Sequence, residues 1–479
     1  MIGMSASDIA AATGATLLAP GSRAVTGEAV IDSRRVGDGS LFVAFVGERL
    51  DGNEYLAPAA RSGAAAVVAS REVDAAVLAE LSALGCAVLR AEGDDCEEFL
   101  LRLAAHVRGA HPGWLVVGVT GSVGKTTTKD MLAAAFGSQR RTHATAGNLN
   151  NLIGLPVTVL SAPDDAEVLV CELGMNHTGE IERLAAACRP TLACITNVGT
   201  SHIGLLGSRE NIARAKAEVV SGMTPGCDLG PALALTSSGD FTPFIADGFA
   251  RPAGVDVMFV GRGEEDLVRC VSLELDDEGR ATARLACADG WTGTAHLPMP
   301  GRAPVDDLML ALALVWRAGL DRDAALAAIE GMPQTSMRLD VHATPSGARV
   351  IDDSYNAAPA SMAASLDVLA QMACEGRRIA VLGEMGELGD EAPRLHGYVG
   401  AYAAAKGVDL LVLVGGALAD EMAEAARTMG LSEDAIERLA TVEDASRVMG
   451  PVLAEGDLVL VKASRSAGLD GFVRGVLAR

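Results

Sequence analysis

Apolar residues fall in short runs, each closed by a polar or glycine turn and followed by a stretch with helical spacing. Trp114–Thr120, Val168–Cys171 and Ala193–Thr196 read as strands, as do Arg349–Ile351, Ile379–Leu382, Leu410–Val414 and Leu458–Val461. Strands alternating with helices predict parallel sheets covered on both faces. Leu267–Pro298 breaks the rhythm, because apolar and polar positions alternate there between turn residues and predict an antiparallel insertion. The apolar run at Asp306–Arg317 then predicts a helix. Nearer the N-terminus, Ser7–Thr13 and Leu56–Ser62 predict short helices, and Leu41–Val46 and Ala64–Ala69 predict strands.

The chain has 479 residues, more than one hydrophobic core supports. Pro112-Gly113 and Met332-Pro333 are the natural breaks. They divide the chain into segments 1–112, 113–334 and 335–479, an α/β protein of several domains, with no internal repeat.

The formal net charge of −23 argues against nucleic acid and anionic membrane as partners, since no run of Lys or Arg offsets it. A phosphate-bearing ligand must then be held by local positive charge, metal and backbone N–H groups. Nine scattered cysteines show no Cys-x-x-Cys or Cys/His spacing and read as reduced thiols. No signal-like start and no membrane-length apolar run is present, so a soluble cytoplasmic protein without membrane insertion is expected.

The strongest chemical signal is Thr120-Gly121-Ser122-Val123-Gly124-Lys125-Thr126-Thr127, between a strand and a helix. Glycines let successive N–H groups curve around phosphate oxygens, and the helix N-terminus adds partial positive charge. Lys125 is placed to reach the β- and γ-phosphates of ATP, and the Thr126 hydroxyl to hold Mg²⁺. Val119 stands where the general form of this loop carries its first glycine.

Glu172 ends a strand on the side where ligands bind a parallel sheet, and Mg²⁺ takes one or two carboxylates beside phosphate. His202 follows the next strand; by spacing it could meet a second metal or a phosphate, or simply be exposed. Lys216 lies on a following helix and by spacing alone is a surface lysine.

Taken together these segments resemble the Mur ligases, which build the peptide stem of the bacterial cell-wall precursor. The loop at 120–127 resembles the family's phosphate loop, its missing first glycine included. Gly147-Asn148-Leu149-Asn150-Asn151 with Gly154 and Pro156 resembles the family's G-N-x-N-N-x-x-G-x-P signature. Ile351-Asp352-Asp353-Ser354-Tyr355-Asn356-Ala357-Ala358-Pro359 is similar to the signature of the subtype that adds D-alanyl-D-alanine to UDP-MurNAc-tripeptide. Leu382–Gly389 and Lys462–Ser466 fit that subtype, and Asp32-Ser33-Arg34 with Gly39, Phe42, Gly47 and Asp51-Gly52 resembles a UDP-binding first domain.

The resemblance implies a three-domain architecture: a UDP-substrate-binding N-terminal domain, a central P-loop domain with a parallel sheet, and a Rossmann-like C-terminal domain. It implies ATP contacts at Gly121, Ser122, Val123, Gly124, Lys125, Thr126, Thr127, Arg338 and Asp353. Metal ligands are implied at Thr126, Glu172, His202 and Lys216, the last carbamylated. UDP-substrate contacts are implied at Ser33, Arg34, Asn148 and Asn151, and Asn356 and Ser464 fall on the D-Ala-D-Ala side. The implied enzyme is a monomeric ATP- and Mg²⁺-dependent ligase that activates a carboxylate as an acyl phosphate, with catalysis resting on Lys125, Lys216, His202 and Glu172. Alternatives are a folylpolyglutamate-synthase-like ligase and a non-catalytic nucleotide-binding protein. The chain departs from the family at Ala303–Asp307, where H-N-x-x-N is usual, at Thr236–Asp240, where N-x-D-D is usual, and at Asn53, which replaces a His.

Overall fold

The computed structural model describes residues 3–478 and contains three sheets, one in each predicted segment. The first has five strands, in the order 16–19, 87–90, 66–69, 41–43, 29–30; all neighbours are parallel except the first pair. The second has nine strands and the third six.

In the second sheet Leu115–Thr120 lies between Val168–Glu172 and Leu192–Ile195, all parallel. Ala232–Thr236 and Asp256–Gly261 continue it in the same sense. The first three of these strands are buried on both faces, which is why they read as unbroken apolar runs. Strands Val268–Leu275, Arg280–Cys287 and Thr292–Pro300 are antiparallel to one another, as the alternation predicts. They form no separate insertion: Val268 and Arg269 pair in parallel with Val260 and Gly261, so the hairpins extend the main sheet. The predicted helix after them begins earlier, at Ala303, and runs to Arg317.

The third sheet runs 340–343, 349–352, 458–462, 378–383, 410–414, 436–439, with only the edge strand Asp340–Ala343 antiparallel. A parallel sheet between helices is the Rossmann-like arrangement the resemblance implies.

Helix Cys96–Ala110 joins the first two sheets. Phe99, Leu100, Leu103 and Val107 share one buried cluster with Leu155, Val159, Ile181 and Leu184 of the second unit. Arg183 adds ion pairs to Glu97 and Glu98. Part of the contact between the third unit and the second is polar: Thr335 Oγ1 donates to Asp130 Oδ2 at 2.8 Å, and Arg338 Nη2 lies 3.4 Å from Thr126 Oγ1. Among the described residues no helix is long and apolar enough to cross a membrane.

Candidate active site

The carboxyl ends of the central strands carry the predicted loop. Gly121 has φ +150° and Gly124 φ +86°, conformations that suit glycine. A Cβ on Gly121 would lie 1.8 Å from Thr196 Oγ1, and one on Gly124 would lie 2.6 Å from Asp307 Oδ1, so both positions also exclude a side chain by space. The loop is laced to the next strand end. Ser122 N donates to Asn197 O at 3.1 Å, Val123 N to Asn197 Oδ1 at 3.0 Å, and Gly199 N to Ser122 Oγ at 2.9 Å. Sequence reasoning did not single out Asn197; its place in the turn after a parallel strand was the available signal.

Helix Lys125–Gly137 begins at the loop's end, so Lys125, Thr126 and Thr127 sit in its first turn. Lys125 Nζ donates to Gly121 O at 2.8 Å, folding the amine back over the loop. Burial lowers its pKa, and the nearby Glu172 carboxylate opposes that shift.

Glu172 is 1% exposed. Its Oε2 accepts from Thr126 Oγ1 at 3.1 Å and its Oε1 from Asn150 Nδ2 at 2.7 Å, while its N–H donates to Thr145 Oγ1. The two oxygen ligands predicted for a metal therefore touch. Asn150, within the quoted signature but not among the predicted site residues, orients the carboxylate.

Lys216 is no surface lysine. Helix Arg209–Ala217 turns it inward, between buried Ala215 and Ala217, and it is 1% exposed. Its amine has no hydrogen bond or ion pair with another described residue. Burial first, and then the charge of Lys125, push it well below the ordinary lysine range. A neutral amine is the form that can add to CO₂ and become a carbamate.

His202 adopts φ +65°, and its Nδ1 lies 2.5 Å from Glu387 Oε2 of the third unit. Among the described residues no three His, Cys, Asp or Glu side chains cluster as a preformed metal cage. That suits Mg²⁺, which keeps waters and shares substrate phosphates with only one or two protein carboxylates.

The other predicted residues separate into those facing this edge and those engaged elsewhere. The Arg338 guanidinium stacks 4.2 Å over the Tyr355 ring beside Thr126. Asp353 is buried in an ion pair with Lys462, with Ser365 Oγ donating to its Oδ2 at 2.6 Å. Lys462 Nζ also donates to the Asn356 carbonyl at 3.0 Å, and Ser464 Oγ lies 3.2 Å from Ser466 Oγ. Asn148 is exposed, and Asn151 Oδ1 accepts from the N–H of Gly154 at 2.8 Å, which holds the turn that leads into helix Gly154–Leu160. In the first unit Ser33 opens a short turn capped by Asp32, whose carboxyl is held down at about 2 by hydrogen bonds from Arg34. The Arg34 side chain is otherwise exposed.

The departure at Ala303–Asp307 lies against the phosphate loop. Asp307 is buried beside Gly124, and burial pushes its carboxyl well above the ordinary range.

Residues 119–315 match the Mur ligase middle domain, and residues 337–465 match the Mur ligase glutamate ligase domain. The chain belongs to the Mur ligase family. A relative from Bacillus subtilis (strain 168), named UDP-N-acetylmuramoyl-tripeptide–D-alanyl-D-alanine ligase, is 33% identical over 93% of this chain and 92% of its own. The crystal structure of MurF from Acinetobacter baumannii is similar with a TM-score of 0.85 and 28% identity, covering 99% of both chains. MurF ligase from Thermotoga maritima, solved in complex with ADP, is similar with a TM-score of 0.78 and 25% identity, covering 95% of this chain and 98% of that one.

Proposed function

We infer that this chain uses ATP to join D-alanyl-D-alanine to UDP-N-acetylmuramoyl-tripeptide, the two substrates its relatives are named for. The observation that carries the reading is the contact of Glu172 with Thr126 at the phosphate loop, with Lys216 buried within electrostatic reach of Lys125 and unpaired among the described residues.

The electrostatic problem is to bring a carboxylate to a triphosphate. Two like unit charges 4 Å apart repel by roughly 4 kcal/mol at an effective dielectric of 20. Lys125 and the loop N–H groups lower that repulsion and stabilise charge on the transferred phosphoryl group. Mg²⁺, when bound with the nucleotide, supplies further neutralisation and orients the phosphate oxygens. Thr126, Glu172, His202 and carbamylated Lys216 are the residues we assign to hold it; carbamylation turns an unpartnered amine into a carboxylate-like oxygen donor. The tripeptide's terminal carboxylate attacks the γ-phosphorus, ADP leaves, and the dipeptide's amine then displaces phosphate from the acyl phosphate. No side chain acts as nucleophile.

Segment 1–112 is assigned to the UDP end of the substrate through Ser33 and Arg34, segment 113–334 to ATP, and segment 335–479 to ATP through Arg338 and Asp353 and to the dipeptide through Asn356 and Ser464. Asn148 is assigned as a substrate contact, while the bond from Gly154 N–H makes the side-chain oxygen of Asn151 a positioning group. We read it as a cytoplasmic monomer, the compartment being the one in which ATP and a UDP-linked precursor are met together.

Phosphate release from ATP should require both UDP-MurNAc-tripeptide and D-Ala-D-Ala, and Lys125→Ala should remove it. Release driven instead by a folate and glutamate, or none with any acceptor, would contradict the assignment.

A further inference from the structure

The His202 contact crosses between two units of the chain. Glu387 belongs to the loop after the third-sheet strand Arg378–Gly383, whereas His202 closes the loop after the central strand Leu192–Ile195. Both residues are non-glycine and both sit in the left-handed region, at φ +62° and φ +65°. Such backbone persists where the surroundings over-determine it, and it gathers at functional sites.

The surroundings here are specific. Gly204 N donates to Glu387 O at 3.0 Å. A Cβ on Gly204 would lie 2.3 Å from Gly389 N, so the two loops dock backbone to backbone. At the loop's root, Met385 N donates to Nε2 of buried His396 at 2.8 Å, which pins the loop to its own unit. Ile203, next to His202, packs against the hydrophobic cores of both units.

We propose that Glu387 is a positioning residue that fixes the His202 imidazole once the third unit is docked. Its carboxylate lies against the Nδ1 side of the ring, at 2.5 Å, and leaves Nε2 as the nitrogen that can ligate a divalent ion. A carboxylate on the far nitrogen fixes both the tautomer and the ring plane of a ligating histidine, and loss of such a partner costs about 10–100-fold in metal affinity. The metal site on the central unit is thereby completed only when the third unit, which brings Arg338 to Thr126, has closed on it. The inference rests on the functional reading above in assigning His202 to the metal.

The test measures Mn²⁺ binding by electron paramagnetic resonance, with full-length protein and a non-hydrolysable ATP analogue. This readout needs no turnover, so it stays interpretable even if the acceptor assignment fails. Glu387→Ala should weaken Mn²⁺ binding about ten-fold. Glu387→Gln, which keeps a side-chain oxygen beside Nδ1, should recover part of that loss. In a His202→Ala background Glu387→Ala should have no further effect. Small-angle scattering should show the same nucleotide-dependent compaction in wild type and Glu387→Ala. Unchanged Mn²⁺ affinity in Glu387→Ala, an additive loss in the double variant, or loss of compaction together with affinity would each overturn the proposal.

Discussion

Two buried lysines stand at the carboxyl ends of two parallel sheets, Lys216 on the central unit at 1% exposure and Lys462 on the third at 3%. Lys462 is paired: Asp353 faces it, Asn356 O accepts from it, and Ser365 holds the same carboxylate. Lys216 is paired with nothing among the described residues, and the charge that acts on it is another amine, Lys125. Burial depresses the pKa of both, but only for Lys462 does an adjacent carboxylate oppose the shift. A buried amine with a carboxylate partner is accounted for by the fold. One without a partner costs stability and is accounted for by what it becomes or binds.

That contrast can be broken or sharpened by substitution. The largest effect belongs to Lys216→Met, which should lower phosphate release by on the order of a thousandfold, as loss of a group that stabilises the reacting charge does. It should leave the first melting transition unchanged or slightly raised, because an unpartnered buried amine is removed. A lowered transition with retained turnover would make Lys216 structural.

Lys462→Met should behave in the opposite way. It strands Asp353 in the interior without its cation and should cost about 3 kcal/mol of stability, read by chemical denaturation. A loss below about 1 kcal/mol would mean that water reaches Asp353 and the pairing is idle.

A smaller effect separates the third unit's scaffold from its rim. Burial alone would raise the Asp457 carboxyl, but hydrogen bonds from the Arg377 side chain and N–H and from Ala454 N–H outweigh it and hold the group below its ordinary range. The unfolded chain therefore binds this proton more readily than the folded one. The stabilisation is complete above the ordinary carboxylate pKa near 4 and is lost as pH falls through the lower folded value. Asp457→Asn should cost about 1.5 kcal/mol at pH 7, and the gap from wild type should narrow as pH drops below about 4. A constant gap would remove the charge from the explanation.

The two edges also differ in how far the sequence exposes them. The loop at 120–127, Glu172 and the strands that carry them are legible because their signals are local: an apolar run, glycines at turn positions, a carboxylate at a strand end. The same holds for the third-sheet strands ending at Asp352, Gly383 and Lys462. Burial of Lys216 is not legible, because its Ala neighbours give the helix face no polarity contrast. The two-residue strand Ala29–Val30 and the half-buried strand Thr142–Ala144 are too short to show periodicity. Contacts between distant segments, such as Asn150 with Glu172, Asp307 against Gly124 and Glu387 with His202, have no signature along the chain. The turn held by Asn151 depends on where the next helix starts, and spacing does not fix that.

The central claim is that Lys216 stays unpartnered so that its amine can take up CO₂. Carbon-13 spectroscopy of protein equilibrated with labelled bicarbonate tests this directly. The account predicts a protein-bound carbamate resonance in the wild type that is absent in Lys216→Met; a wild-type spectrum with no such resonance, from protein that still releases phosphate with both acceptors present, would contradict it.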